Sequence, residues 1–291
     1  MRKVVVEAPA KLNLSLAVTG LAANGYHTVD MVMQAVGLWE RIEVVRSMGY
    51  SLRLPKSPVA AGEKNTATKA AKAFFHETGL LAGADITVHK KIPTRAGMAG
   101  GSADAAGVLV GLNALYGARL SLEKLCEIGA TIGADVPFSL LGGTARATGT
   151  GETLHPLRPL ENCWFAIAMP HGGGVSTPEA YQRFDTQGSP LCPDVAAACA
   201  AIEGGNLAGL LPQMQNMLEH ANSDGKTRAL RALFDRHGAL ASMMTGSGAA
   251  VFGLFSTRAE AEKAARAAKP LATGAWAAPP VASGPRITVQ E

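Results

Sequence analysis

A run of small residues after a proline has the composition of a phosphate-binding loop. Residues 93–104 read Pro-Thr-Arg-Ala-Gly-Met-Ala-Gly-Gly-Ser-Ala-Asp, between a strand predicted to end near Ile92 and a helix predicted to start near Ser102. Small residues let the backbone approach a ligand, and the helix start supplies free N–H groups and a positive dipole end. The segment therefore predicts an anion site, most naturally for phosphate. An ordinary glycine-rich turn has the same composition, and the run matches neither a Walker A loop nor a dinucleotide fingerprint.

Two ionisable residues could supply acid–base chemistry. Asp135 lies in Gly-Ala-Asp-Val-Pro at 133–137, where a proline-restricted turn can direct a carboxylate that is ionised at pH 7 and able to accept a hydroxyl proton. A turn aspartate bonded to its own backbone is the alternative. Lys11 and Asn13 are two residues apart on a predicted strand and so share a face. Lys11 is either paired with an acid at a site or an edge-strand lysine that blunts aggregation.

The elements that must position these residues can be read from hydrophobic spacing. Alternation predicts a half-buried strand over 11–18, and weaker patterns predict strands at 42–45, 50–54 and 86–90. Helical spacing and capping residues predict three helices. One begins at Asn65 or Thr66 and stops at Gly79, one ends at Gly117, and one runs from Ser121 to a stop at Gly133.

The second half repeats the mixture of strands and helices after a proline-containing stretch at 154–162 that predicts a domain junction. The predicted strands are 164–169, 249–255 and one near 287–289, and the predicted helices are 194–203, 206–219, 224–237 and 258–268. The Ala/Pro-rich segment 275–284 predicts a loop, and Thr245-Gly-Ser-Gly-Ala reads as a plain turn from helix to strand. Strands that precede helices favour an α+β fold over a doubly wound sheet.

Composition excludes several classes of protein. The chain has 291 residues, of which 47% are hydrophobic and 17% charged. This length and composition are enough for real cores in two domains or in one large one. A net charge of +4 without a block of like charges does not call for a nucleic acid partner, and no run of 18 apolar residues predicts a membrane span. The four cysteines form no C-x-x-C pair, and the N-terminus turns acidic too early for a signal peptide. These features predict a cytoplasmic globular protein.

Together the motifs resemble those of the GHMP kinases, the superfamily of galactokinase, homoserine kinase, mevalonate kinase and phosphomevalonate kinase. The resemblance rests on Pro-Ala-Lys-x-Asn at 9–13, Pro-x-x-x-Gly-x-x-Gly-Gly-Ser at 93–102, Gly-Ala-Asp-Val-Pro at 133–137 and the later Gly-Ser-Gly loop, and it extends from residue 3 to about 268. It implies a two-domain α+β fold. Residues 1–155 would form a domain like domain 2 of ribosomal protein S5, residues 156–291 a ferredoxin-like domain, and the active site would lie in the cleft between them.

The resemblance also assigns roles to individual residues. Asp135 matches the catalytic base and Lys11 the catalytic lysine. The matched substrate-binding positions are Asn13, Tyr26, His27, Thr177 and Tyr181, of which Tyr26, His27 and Tyr181 would hold a cytosine by stacking and edge contacts. The matched ATP-binding positions are Asn65, at the adenine, and the loop of Pro93, Thr94, Arg95, Ala96, Gly97, Met98, Ala99, Gly100, Gly101, Ser102 and Ala103. Tyr26 and Tyr181 would otherwise be core aromatics.

The implied activity is ATP-dependent phosphorylation, with Mg²⁺, of the 2-hydroxyl of a cytidine diphosphate-linked methylerythritol in non-mevalonate isoprenoid biosynthesis. Another small-molecule kinase of the superfamily, acting on homoserine or mevalonate, is the alternative; neither acceptor has a cytosine to stack. A non-catalytic nucleotide or RNA-binding module is a third reading, which Lys11, Asp135 and the absence of a basic stripe oppose. The partner would be a small molecule, with neither nucleic acid nor membrane, and the protein a monomer or homodimer. The sequence does not identify the Mg²⁺ ligands.

The loop departs from the family pattern Gly-Leu-Gly-Gly-Gly-Ser-Ser-Asn at two positions of the first helical turn. Ala103 replaces the second serine and removes one hydroxyl. Asp104 puts a carboxylate close to the phosphate site, where like charge is unfavourable. We therefore expect the Asp104 side chain to point away from ATP, as a helix cap.

Overall fold

Two β-sheets covered by helices make up most of the structure, a computed structural model that describes residues 2–291. The strands are β1 (Lys3–Leu21), β2 (His27–Ser47), β3 (Ser51–Arg53), β4 (Gly83–His89), β5 (Thr144–Thr148), β6 (Thr153–Leu157), β7 (Trp164–Pro170), β8 (Ala241–Met244), β9 (Val251–Phe255), β10 (Ala272–Ala278) and β11 (Arg286–Gln290). The helices are α1 (Thr66–Thr78), α2 (Gly100–Tyr116), α3 (Leu122–Ala130), α4 (Val136–Leu141), α5 (Thr177–Gln187), α6 (Val195–Glu203), α7 (Leu207–Leu210), α8 (Glu219–Asn222), α9 (Gly225–Arg236) and α10 (Arg258–Ala268).

The first sheet has seven strands. Its main path runs β11-β1-β2-β4-β3, and β5 pairs with both β2 and β6. β1 and β2 form one long antiparallel hairpin whose register shifts at three places along β1. The predicted division between residues 155 and 156 falls inside β6, a strand of the first sheet, and the chain enters the second sheet only at β7. β11 then returns to pair with β1.

The second sheet has four antiparallel strands in the order β10-β7-β9-β8. In chain order this is 4-1-3-2, the arrangement expected of a ferredoxin-like domain, and it confirms the predicted α+β class. Helices α9 and α10 pack on this sheet through a buried cluster that includes Leu230, Phe234, Val251 and Phe255.

Helix α2 lies unusually close to the first sheet, and this fixes where its N-terminus points. A Cβ atom on Gly107 would come within 2.6 Å of Ile42 Cδ1, and one on Gly111 within 2.7 Å of Val44 Cγ2. At Gly107 and Gly111 the helix therefore contacts β2 through its backbone. Any larger residue at these two positions would increase the distance between the helix and the sheet. The segment predicted to bind phosphate leads directly into α2, so this packing also positions that segment.

Local signals predicted the ends of several helices correctly. Asn65 caps α1 by accepting a hydrogen bond from the Ala67 N–H at 2.9 Å, and Gly79 ends the helix in the left-handed conformation. Gly117 ends α2 in the same way. Ser121 caps α3 as predicted, although that helix stops at Ala130 rather than near Gly133.

Other expectations about the elements were wrong. The first strand is not half-buried, because both Leu12 and Asn13 are fully buried and the second face is covered by residues of the later chain. The helix predicted over 206–219 breaks after α7 into a 3₁₀ turn at Leu211–Gln213, where Pro212 removes a backbone donor. The predicted loop 275–284 begins as part of strand β10. The Thr245 turn joins β8 to β9 and does not follow a helix.

Candidate active site

A cleft of about 920 Å³ opens between the first sheet and the segments that follow the second-sheet strands. It brings together every site residue predicted from the sequence except Ala103, which is fully buried and donates its N–H to the Ala99 carbonyl. The cleft therefore unites the phosphate-loop candidate, the Lys11/Asp135 candidate and the aromatic candidates, which lie far apart along the chain.

The phosphate-binding loop has alternating backbone conformations. Arg95, Gly97 and Ala99 have φ angles of +53°, +72° and +55°. Left-handed residues alternating with their neighbours turn successive N–H groups to one side, and such a concave arrangement binds anions. Arg95 and Ala99 adopt this conformation despite having a Cβ atom, which costs about 1–3 kcal/mol at each position.

Three successive carbonyls of this loop are held by the rest of the molecule. The Ala96 carbonyl accepts a hydrogen bond from the Ala250 N–H, the Met98 carbonyl accepts one from the Lys11 N–H, and the Thr245 hydroxyl donates to the Gly97 carbonyl, each at 3.3 Å. Both β1 and the loop before β9 thus hold this segment in place.

The same loop leaves a row of backbone donors unused. Among the hydrogen bonds found over residues 2–291, none has the N–H of residues 97–102 as its donor. The last of these N–H groups begin helix α2, where the helix dipole adds partial positive charge. The loop therefore fits a polyanion such as a nucleotide phosphate, as its composition predicted.

Lys11 and Asp135 face one another at the floor of the cleft. Lys11 Nζ lies 3.9 Å from Asp135 Oδ2 and 2.5 Å from Asn13 Oδ1. Only 6% of Lys11 is exposed, which excludes an edge-strand role. Burial lowers the pKa of Lys11 from its ordinary value, and Asp135 offsets part of that shift.

Asp135 stands at the start of α4, but its carboxylate makes no hydrogen bond to the backbone there. About a third of its side chain, 34%, remains exposed to the cleft. The alternative of a self-bonded turn aspartate is thus excluded, and the carboxylate is available to a ligand. Asn13 completes this group: it is fully buried, and its N–H donates to the Thr245 hydroxyl at 3.0 Å.

An aromatic group also lines the cleft. The rings of His27 and Tyr181 stack with centroids 4.5 Å apart, and His27 Nε2 lies 2.7 Å from Asp185 Oδ1. Burial, together with the nearby charge of Asp135, raises the pKa of Tyr181 to about 12. Tyr26 is 69% exposed on the turn between β1 and β2, so it is not a core aromatic.

The remaining predicted contacts lie along the rim. The Asn65 side chain caps α1 and also donates to the Ala60 carbonyl at 2.9 Å, so its amide has structural partners as well as access to the cleft. Pro93 and Thr94 line the entry to the phosphate-binding loop. The Thr177 hydroxyl, on the first residue of α5, lies 3.4 Å from that of Ser247.

Sequence reasoning missed two parts of the site. The turn at Thr245 was read as plain, yet its hydroxyl joins Asn13 to Gly97. Lys90, Glu40 and Asp104 form a buried ion-pair cluster under the phosphate-binding loop. Asp104 was expected to cap the helix, but α2 has no side-chain cap, and the Asp104 carboxylate pairs with Lys90 instead. No local pattern could show this pairing, because the packing of α2 on the first sheet brings Asp104 to Glu40 of β2.

The described part of the chain offers no cage for a metal ion. Over residues 2–291 no group of three or more His, Cys, Asp or Glu side chains could hold one. None of the helices in that range is long and apolar enough to cross a bilayer.

Comparison with known proteins agrees with this geometry. The family model for the GHMP kinases N terminal domain matches residues 65–143, and that for GHMP kinases C terminal matches residues 191–270. The chain is 36% identical over 268 residues to the 4-diphosphocytidyl-2-C-methyl-D-erythritol kinase of Alkaliphilus metalliredigens (strain QYMF), covering 91% of this chain and 92% of the relative.

Solved structures extend the likeness to the whole fold. A crystal structure of 4-(cytidine 5'-diphospho)-2C-methyl-D-erythritol kinase superimposes with a TM-score of 0.80 at 33% identity, covering 95% of this chain and 98% of that chain. A homoserine kinase from Cytophaga hutchinsonii gives a TM-score of 0.79 at 18% identity, covering 99% and 98%. The second likeness concerns the fold alone.

Proposed function

The chain belongs to the GHMP kinases, in the branch of the 4-diphosphocytidyl-2-C-methyl-D-erythritol kinases, and from this we propose how it phosphorylates the 2-hydroxyl of that cytidine compound. The hydroxyl oxygen forms a bond to the γ-phosphorus of ATP while the bond from that phosphorus to the bridging oxygen breaks. ADP leaves with the electron pair, and the hydroxyl proton passes to the enzyme. The product is the 2-phosphate in the non-mevalonate route to isoprenoids.

Asp135 is the acceptor of the hydroxyl proton in this proposal. Its carboxylate is open to the cleft and makes no backbone bond, so it can reach a substrate hydroxyl. A positioned general base contributes about 10²–10⁴-fold to a rate. Lys11 lies within 3.9 Å and stabilises the alkoxide as its proton leaves, while Asn13 holds the lysine amine from the other side.

The phosphate-binding loop supplies the second half of the chemistry. Phosphoryl transfer depends mainly on positioning and on neutralising charge. The unused N–H groups of residues 97–102 and the start of α2 do both for the phosphates of ATP. Because the loop carbonyls are already bonded to β1 and to the turn before β9, the donors need little rearrangement when the nucleotide binds.

Magnesium enters this reaction as part of the MgATP substrate. The ion keeps several waters and commonly binds through substrate phosphates with one or two carboxylates. The lack of an acidic cage among the described residues fits an ion delivered on the nucleotide, and no protein ligand is assigned.

Two further features of the protein are part of the proposal. We place it in the cytoplasm, as a monomer or homodimer. The four cysteines are all free, and burial raises the pKa of Cys163 to about 12 and, with Glu123 nearby, that of Cys126 to about 11. Thiols with such values are inert at neutral pH, which suits a reducing compartment.

The single observation that carries the proposal is the Lys11/Asp135 pair facing a loop of free backbone donors in one cleft. The direct test measures ADP release from MgATP with 4-diphosphocytidyl-2-C-methyl-D-erythritol, homoserine and mevalonate in parallel. Turnover with the cytidine compound alone is the expected result. Turnover with another acceptor would keep the kinase chemistry and return Tyr26, His27 and Tyr181 to structural roles.

Tyr26→Ala is expected to raise KM for the cytidine substrate by about 5- to 150-fold, since base–aromatic stacking contributes about 1–3 kcal/mol. Tyr26 is exposed on a turn, so its removal opens no core cavity. Steady-state kinetics at saturating MgATP measures the effect. Tyr26→Phe keeps the ring and is the matched control, expected to behave as the wild type; an unchanged KM in Tyr26→Ala would remove the side chain from the substrate site.

A further inference from the structure

Lys90 lies at the centre of a buried cluster that touches both ends of the phosphate-binding loop. Its amine lies 2.5 Å from Glu40 Oε1 and 2.8 Å from Asp104 Oδ2, and it donates to the Gly100 carbonyl at 3.2 Å. Side-chain exposure is 9% for Lys90, 0% for Glu40 and 4% for Asp104. These contacts fix the exit of the loop, where α2 begins.

Glu40 fixes the entry of the loop. Its Oε2 accepts a hydrogen bond from the Lys91 N–H at 2.7 Å, and its Oε1 accepts one from the Ile92 N–H at 3.3 Å. Glu40 from β2, Lys90 directly after β4 and Asp104 from α2 therefore hold residues 91–104 at both ends.

The cluster carries one more acid than base. Lys90 and Glu40 are the charged groups that act on Asp104, and Asp104 Oδ1 is buried without a hydrogen-bond partner among the described residues. Burial raises the pKa of Asp104 to about 7, against the attraction of Lys90, and burial also raises that of Glu40. Burial alone would lower the pKa of Lys90, but the two carboxylates raise it above its ordinary value, so the lysine stays charged.

We propose that Lys90 is a positioning residue for ATP: with Glu40 and Asp104 it holds the phosphate-binding loop in shape, and the surplus carboxylate takes up a proton when the phosphates of ATP occupy the loop. The proposal rests on the assignment of this loop to ATP and goes beyond it. Asp104 lies in the first turns of α2, so its negative charge opposes the anion that the helix start attracts. A proton on Asp104 removes that opposition.

The direction of the pH dependence follows from this. Bound phosphates disfavour the ionised form of Asp104, so ATP raises its pKa further. ATP then binds more tightly to the protonated cluster, and its affinity falls as pH rises through about 7 and above. The proposed contacts of the acceptor substrate, Asp135 and the His27/Tyr181 pair, lie outside the cluster, so its binding is not expected to show this pH dependence.

The first test measures proton uptake directly. MgATP is titrated calorimetrically at pH 7.5, without acceptor, in two buffers of different ionisation enthalpy, for the wild type and for Asp104→Asn. We expect the wild type to take up a fraction of a proton more than the variant. Because the protonation change of ATP itself is the same in both titrations, the comparison with the variant removes it. Equal uptake would refute the proton-linked part. Because no acceptor is present, the result does not depend on which hydroxyl the enzyme phosphorylates.

The second test is the pH profile of KM for ATP between pH 6.5 and 8.5. In the wild type KM is expected to rise about three- to tenfold, corresponding to a shift of roughly half to one pKa unit on binding. Asp104→Asn is expected to stay flat and to bind ATP more tightly than the wild type at pH 8.5. Parallel profiles for the two proteins would contradict the proposal.

A third set of variants tests the positioning role of Lys90. Lys90→Met alone leaves two buried carboxylates unpaired and is expected to fold poorly. The neutral triple variant K90M/E40Q/D104N avoids that and is expected to raise KM for ATP about tenfold or more, with KM for the cytidine substrate unchanged. The single variant Lys90→Arg keeps the positive charge and is expected to have nearly the wild-type affinity for ATP. A triple variant with the wild-type KM for ATP would exclude the positioning role.

Discussion

Replacing Asp135 with alanine is expected to abolish turnover, a fall in kcat of about 10²–10⁴-fold, while both substrates still bind. The carboxylate is the acid-base group that faces the cleft beside Lys11, at 3.9 Å, and it supports no helix by capping. Its loss should therefore cost chemistry and little stability. Single-turnover rates, together with Kd values for MgATP and the cytidine substrate, measure the two effects separately.

Two comparisons sharpen this result. Asp194→Ala removes a capping aspartate from α6, where it accepts from the Ala197 N–H at 2.9 Å, and should cost about 1 kcal/mol of stability without changing kcat. Asp135→Asn keeps the shape of the side chain but removes the charge that supports Lys11. Burial already lowers the pKa of Lys11, and the loss of the Asp135 charge lowers it further. As the pH rises, the residual activity of Asp135→Asn should therefore be lost at a lower pH than the activity of the wild type. Turnover close to the wild type in Asp135→Ala would remove Asp135 from the mechanism.

Gly97→Ala is expected to raise KM for ATP by about 10- to 100-fold, because it displaces the phosphate-binding loop. Gly97 has a φ of +72°, and an added Cβ atom would lie 2.0 Å from the Thr245 carbonyl oxygen. The loop would have to move away from the turn before β9 and lose its hydrogen bonds to Thr245 and Ala250. Steady-state kinetics with varied MgATP measures the change.

Gly79→Ala provides the matched control for this substitution. Gly79 has a φ of +63° at the end of α1, and an added Cβ atom there would meet nothing within 4 Å. Gly79→Ala therefore introduces similar backbone strain, about 1 kcal/mol, but no steric clash like that between residue 97 and Thr245. If both variants bind ATP equally well, the fit between Gly97 and Thr245 does not hold the nucleotide site together.

The sequence was most informative where a single stretch of chain determines the structure. The cap and the stop of α1 depend on local backbone geometry: the cap was predicted at Asn65 or Thr66 and lies at Asn65, and the stop predicted at Gly79 is confirmed. The hypothesis that residues 93–104 bind an anion follows from small residues before a helix, and the structure adds a row of unused N–H donors at residues 97–102. The strand at Lys11 could be predicted from alternation, although its second buried face could not, because the covering residues lie more than 200 positions away.

The rest of the site depends on pairs of residues that only the folded chain brings together. A lysine at position 11 gives no sign that its partner is Asp135, and Asp104 gives no sign of Lys90 and Glu40. The resemblance to a known family supplied the first pair. It did not supply the second, and a helix cap was expected instead. Buried charges are paired in proteins as a rule, but the rule does not name the partner.

The pairing of β11 with β1 has a consequence for how the molecule is made. Val4 and Gln290 are neighbours in the first sheet, so the pairing of β1 with β11 closes a loop that spans almost the whole chain. Contacts of such long sequence separation form late, since the entropy of closing the loop must be met first. Until β11 pairs, the outer edge of β1 has no partner strand. During that interval the nascent enzyme presents an unpaired apolar strand, and a chaperone that shields residues 3–7 would be expected to raise its folding yield.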